Sequence, residues 1–70
     1  MISKIKAIMN EKNVTIRQLE QDSGLNNVTI LRARKDETII KCTLETLAKI
    51  AAALGVSTKD LYDENDENMG

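Results

Sequence analysis

Histidine, proline, tryptophan and phenylalanine are absent from this sequence, which has one cysteine, Cys42, and one aromatic residue, Tyr62. Without histidine the commonest general base and metal ligand is missing. No base, nucleophile and oxyanion donor can be assembled from what remains, which argues against an enzyme, and no residue set points to a cofactor. The acids near the end, Asp63 to Asp66, lack the spacing and central glycine of a calcium loop, so no metal site is expected. A lone thiol cannot form an internal disulfide, which fits the reducing cytoplasm better than secretion. Cys42 itself reads as a small hydrophobe rather than a redox sensor. No apolar run approaches the roughly 18 residues of a membrane span. The opening Met1-Ile2-Ser3-Lys4 leads into a charged amphipathic stretch rather than a signal peptide. At 70 residues the expectation is one small domain, with no room for a separate ligand or oligomerisation domain.

Charge is scarce in sum but not in place. The formal net charge is −1, which read alone argues against a polyanionic partner. Residues 1–35, however, carry seven Lys/Arg against three Asp/Glu, a balance of +4, whereas residues 36–70 carry three against eight, a balance of −5. Residues 63–70 offer nothing apolar except Met69 and are expected to be an acidic, disordered tail. The remaining body, residues 1–62, carries ten cations against seven acids, or +3. Location, not total, governs what such charge can bind.

What is present is helical periodicity. No segment shows sustained strand-type alternation, and the absence of proline removes early helix breaks. Ile2, Ile5, Ile8 and Met9 predict an amphipathic helix over residues 2–11, stopped at Asn13. Thr15 with Gln18 three residues on reads as a capping box opening a short second helix to Asp22, with Ile16 and Leu19 inward. Gly24 supplies the left-handed turn. Asn26 caps a third helix running to Lys35, in which Ile30 suits the core best. Thr43 caps a fourth, with Leu44, Leu47, Ala48, Ile50, Ala51 and Leu54 as its inward stripe and Gly55 as its stop. Ser57 and Asp60 form a second capping box opening a short last helix through Tyr62. Tyr62 would cap the core edge or enter a dimer contact. Between the third and fourth helices, Asp36 to Cys42 is expected to be a connection in which one of Ile39 and Ile40 plugs the core and the other is left open.

The stretch Thr15-Ile-Arg-Gln-Leu19-Glu-Gln-Asp-Ser-Gly24-Leu-Asn-Asn-Val-Thr-Ile30 has the spacing of a helix-turn-helix. Leu19 and Ile30 lie inside the angle between the helices, and Gly24 allows the turn without Cβ strain. The second helix then projects its N-terminal end outward, where it can enter a DNA major groove about 12 Å wide. Here, together with the run Thr43-Leu-Glu-Thr-Leu47-Ala-Lys-Ile-Ala-Ala-Ala-Leu54-Gly55-Val56-Ser57, the chain resembles the lambda-repressor/Cro-like helix-turn-helix family, also called the XRE family of regulators, over about residues 2–62. The resemblance implies an all-α, compact five-helix bundle of the lambda-repressor-like type that binds double-stranded operator DNA as a homodimer.

Carried over by position, the resemblance makes Asn26, Asn27, Val28 and Arg32 base-facing. Asparagine can address adenine N6/N7, valine a thymine methyl and arginine guanine O6/N7. Arg17, Thr29, Arg34 and Lys35 fall to phosphates, and Thr15, Leu19, Gly24 and Ile30 to the architecture of the motif. The sequence departs from the family in places. Ile16 replaces a common glutamine, Arg34 stands where glutamate is frequent, and the connection before the fourth helix is about two residues longer. Glu20 stands where a small alanine is usual and must tilt out or pair with Arg32 or Arg34. The expected function is a sequence-specific transcriptional regulator, a repressor of Cro type reading a palindromic operator. The alternative is a protein-interaction module, antitoxin- or antirepressor-like, whose acidic tail engages a protein partner.

Overall fold

Three helices start where a short polar side chain closes back on the backbone. In the computed structural model, which describes residues 1–64, Thr15 Oγ1 accepts the Gln18 N–H at 3.1 Å. Asn26 Oδ1 accepts the Thr29 N–H at 2.9 Å and Thr43 Oγ1 the Thr46 N–H at 3.1 Å. These bonds satisfy donors that the first helical turn leaves orphaned. The chain runs β1 (Ile2–Ser3), α1 (Ile5–Lys12), α2 (Ile16–Ser23), α3 (Asn27–Ala33), α4 (Asp36–Ile39), α5 (Leu44–Leu54), a 3-10 helix (Thr58–Leu61) and β2 (Tyr62–Asp63). Asn13, Gly24 and Gly55 end α1, α2 and α5 in the left-handed conformation, with φ of 59°, 77° and 74°. None of the described helices is long and apolar enough to cross a membrane.

The core is aliphatic. Ile5, Leu19, Ile30, Ile39, Ile50 and Leu61 are fully buried, one from each helical element, with Met9, Ala33, Leu47, Ala51 and Leu54 around them. Burying an aliphatic side chain of this size is worth about 1.5–3 kcal/mol, and with no buried polar side chain among the described residues that gain carries no desolvation cost.

The all-α bundle expected from the sequence is present, with changes in its connections. The expected first helix starts at Ile5 instead of residue 2, because Ile2 and Ser3 pair as β1 with β2, antiparallel, Ile2 opposite Asp63 and Ser3 opposite Tyr62. Tyr62 therefore ends in a strand and not in a helix, and the last helical turn is 3-10. The acidic segment was expected to begin at residue 63, yet Asp63 lies in β2; residues 65–70 lie outside the described residues. The connection from Asp36 contains a short helix, α4, so that the five α-helices differ from the five expected. Within it Ile39 is the core plug and Ile40 stays 64% exposed. On α5, Leu44 and Ala48 face solvent, so the inward stripe is narrower than expected. Gln18 makes only half of its capping box, since its amide turns to Asp22 at 3.2–3.3 Å.

The third helix stops at Ala33 rather than Lys35 because Lys35 turns to an extended backbone, φ −103° and ψ 138°, that opens α4. Side-chain hydroxyls then satisfy the last carbonyls of α3. Thr38 Oγ1 donates to Arg32 O and Ser3 Oγ to Ala33 O, each at 2.6 Å. Ser3 also donates its N–H to Asp36 Oδ1 at 2.8 Å, and Lys4 donates to Leu61 O at 2.8 Å. Two adjacent residues thus tie the N-terminus to α3, α4 and the end of the 3-10 helix. Ser3→Ala strands the Ala33 carbonyl and is expected to cost about 1–2 kcal/mol. For a domain of this size that lowers Tm by about 4–8 °C per kcal/mol in thermal melts followed by circular dichroism. The same measurement on Ile2→Ala, at a residue 46% exposed, should move by less than about 0.5 kcal/mol; equal effects would contradict the role given to Ser3.

Candidate nucleic-acid interface

Helices α2 and α3 pack against each other through Leu19 and Ile30, both at 0% exposure. Three residues join them. Ser23 Oγ donates to Leu19 O at 2.6 Å and accepts the Leu25 N–H at 3.2 Å, so one hydroxyl closes α2 and holds the chain beyond it. Gly24 donates to Glu20 O at 2.9 Å with φ +77°. A Cβ there would meet no atom within 4 Å, so the glycine answers a backbone conformation and not a lack of space. Of the four residues assigned to the architecture of the motif, Thr15 caps α2, Leu19 and Ile30 are buried on α2 and α3, and Gly24 ends α2 in the left-handed conformation. Ser23 was missed by the sequence reading, although serine before glycine at a helix end is a turn signal.

Ile30 and Ala33, both at 0% exposure, define the inward side of α3. At about 100° per residue, the opposite side centres on Val28, with Leu31 on one flank and Arg32 on the other. Val28 is 53% and Leu31 40% exposed, and Asn27, Arg32 and Lys35 are exposed as well. The proposed reading residues are therefore brought together on one short helix. Asn26 is also exposed, but its Oδ1 is committed to the cap, which leaves Nδ2 as the group it offers outward. Arg34 and Lys35 lie past the end of α3, Arg34 half-buried and Lys35 at the start of α4. Arg17 is exposed in the first turn of α2, on a different element. Glu20 is half-exposed and salt-bridged to neither Arg32 nor Arg34.

A groove of about 410 Å³ lies beside this face, between α3, α4 and the start of α5. Arg32 and Lys41 bring two positive charges to it, and the hydroxyl-bearing Thr29, Thr43 and Thr46 line it together with Cys42. Lys41 was not singled out by sequence reasoning, though its place two residues before the Thr43 cap was visible. Burial pushes the Cys42 thiol above its usual pKa, against a weaker opposite pull from the Arg32 guanidinium. The thiol is thus protonated at neutral pH, a poor nucleophile, and its hydrogen points to Thr38 O at 3.8 Å. Chemically the groove is a cation-and-hydroxyl surface, suited to an anion with several acceptor oxygens. The described residues hold no cluster of three or more candidate metal-ligating side chains.

Among known proteins, the model of one family, the Cro/C1-type HTH DNA-binding domain, matches residues 4–67. No curated protein and no solved structure matches the chain. The family match runs from the residue before α1 through β2, so it takes in the helix pair, the groove and the core that supports both. By that span and by the geometry of its two central helices, the chain belongs to the Cro/C1-type helix-turn-helix DNA-binding domains.

Proposed function

We propose that this DNA-binding domain is a transcriptional repressor of Cro type that reads a palindromic operator as a homodimer in the cytoplasm, with no catalytic activity. The observation that carries this reading is the outward face of α3, where Asn27, Val28 and Arg32 are exposed together on a helix whose other side is locked into the core. Asn27 would address adenine N6/N7, Val28 a thymine methyl and Arg32 guanine O6/N7, with Asn26 Nδ2 at the leading end. Arg17, Thr29, Arg34 and Lys35 would engage phosphates, joined by Lys41 across the groove. For dimerisation the favoured surface is the α4–α5 corner, where Ile40 and Leu44 are 64% and 69% exposed. Ile39, at 1%, is withdrawn from that role by the core. A two-fold dimer would set recognition helices about 34–36 Å apart on one side of the duplex.

Selection from random DNA followed by gel-shift titration across salt tests the reading. Binding should weaken steeply with salt, as release of counterions requires. Arg32→Ala should relax the preference at one guanine, a discrimination of about 1–3 kcal/mol. Lys35→Ala should weaken all sequences alike and reduce the magnitude of the log–log salt slope by about 1 per protomer. Binding with a flat salt dependence, or with no preferred sequence, contradicts the proposal.

Ile40→Asp should shift sedimentation toward monomer and weaken a full inverted repeat more than a single half-site. An unchanged ratio between full site and half-site would remove Ile40 from the dimer contact.

The acids Glu64, Asp66 and Glu67, which follow β2, favour a second reading as an antitoxin- or antirepressor-like interaction module. Truncation after Asp63 separates the two readings. Tighter DNA binding would assign these acids to control of the DNA-binding face, whereas loss of a protein partner at unchanged DNA affinity would favour the module.

A further inference from the structure

Leu31 is the one residue on the outward side of α3 to which the reading above gives no role. Its side chain is 40% exposed, although it belongs to the most hydrophobic class in the sequence. A single exposed leucine calls for no explanation. This one stands three residues beyond Val28, itself 53% exposed, so the two form neighbouring apolar tips about 5–6 Å apart at their Cβ atoms. Their exposed neighbours on the helix, Asn27 and Arg32, are polar or charged. Leu31 is not part of the core cluster, whose contacts from α3 are Ile30 and Ala33.

A major groove offers such a pair one apolar feature, the C5-methyl group of thymine. Successive base pairs rise about 3.4 Å, so two tips one helical turn apart can meet methyls on adjacent pairs. We propose that Leu31 is a specificity-determining residue of this domain, reading a thymine methyl next to the one addressed by Val28. The assignment rests on the DNA-reading role of α3 proposed above. It divides the face by chemistry: Asn27 and Arg32 recognise hydrogen-bonding base edges, and Leu31 with Val28 recognises a short run of thymines that has none of the guanine edge Arg32 requires.

The test uses the full chain and the site recovered by selection. Replacing each thymidine in turn by deoxyuridine removes the methyl and leaves base pairing intact. For the unmodified protein, Kd should rise about three- to fivefold at each of two adjacent positions, the effect of one buried methyl-sized group. Leu31→Ala, a helix-compatible change, should abolish that rise at one of them and keep it at the other, with Val28→Ala showing the converse. Leu31→Met should retain part of the sensitivity. Indifference of the unmodified protein to uracil at every position, or full sensitivity retained in Leu31→Ala, overturns the assignment of Leu31 and leaves the DNA-reading role of α3 standing. Selection that recovers no preferred sequence overturns both together.

Discussion

Burial of Ile30 and Ala33 governs the molecule's outward chemistry. Helix α3 has seven residues, fewer than two turns, and two of them at 0% exposure leave it no rotational freedom. Rolling it by one position, about 100°, would lift Ile30 out of the core and drive a charged or oversized neighbour toward it. The cost would combine lost aliphatic burial with desolvation of a guanidinium. The exposed set follows from this: Val28 opposite the anchors, Leu31 and Arg32 beside it. The outward surface of α3 is thus the complement of a packing decision, and Leu19 on α2, buried in the same core cluster as Ile30, helps to define it without touching solvent.

Such short helices do not stand alone. Isolated helices below about 12–15 residues are marginal in water, and the longest here, α5, has 11. The fold compensates by taking at least one fully buried residue from every helical element, from Ile5 to Leu61, so that all of them share one core. Aromatic side chains, the usual means of burying large area with few residues, are missing from this centre. Polar ties at the chain ends supplement the packing. Ser3 and Lys4 connect β1 to Ala33, Asp36 and Leu61, closing the circuit between the first residues and the last described ones. The same Ser3 hydroxyl bonds the last carbonyl of α3, so the N-terminus is tied to that helix.

The sequence made legible whatever depends on neighbours in the chain. Thr15, Asn26 and Thr43 could be read as caps because each bonds a backbone N–H three residues on. Gly24 and Gly55 could be read as stops because their conformation is their own. Periodicity located Leu19, Ile30, Leu47, Ile50 and Leu54 in the core. What escaped depends on residues far apart. The β1–β2 pair is two residues long, too short for alternation, and joins positions about sixty residues distant. The carbonyls at the end of α3 are satisfied by Ser3 and Thr38, neither of them in the helix. Helix α4 has four residues, its N-cap Lys35 makes no side-chain cap, and Ile39 is held by the core it fills. The groove joining Arg32 to Lys41 exists only once α4 has folded the chain back beside α3.

That groove also explains why a net charge of −1 was uninformative. Attraction between exposed charges falls off over about 8–10 Å at physiological salt, so a bound polyanion senses only what lies near it. Arg32 and Lys41 share one groove, and Lys35 stands exposed at the start of α4. Glu45, by contrast, is engaged with Lys49 at 3.7 Å on α5. Arg32 therefore sits at a junction between two chemistries. Toward Val28 and Leu31 it borders a partly apolar surface suited to discriminating bases, and toward Thr29 and Lys41 a cationic surface suited to holding a backbone. A guanidinium, with five donors in a planar fork, can serve either side. Its neighbours make the division physical: methyl-sized apolar contact is blind to salt, whereas phosphate attraction is not. Ionic strength should therefore weaken the hold of this surface on DNA far more than its choice among sequences.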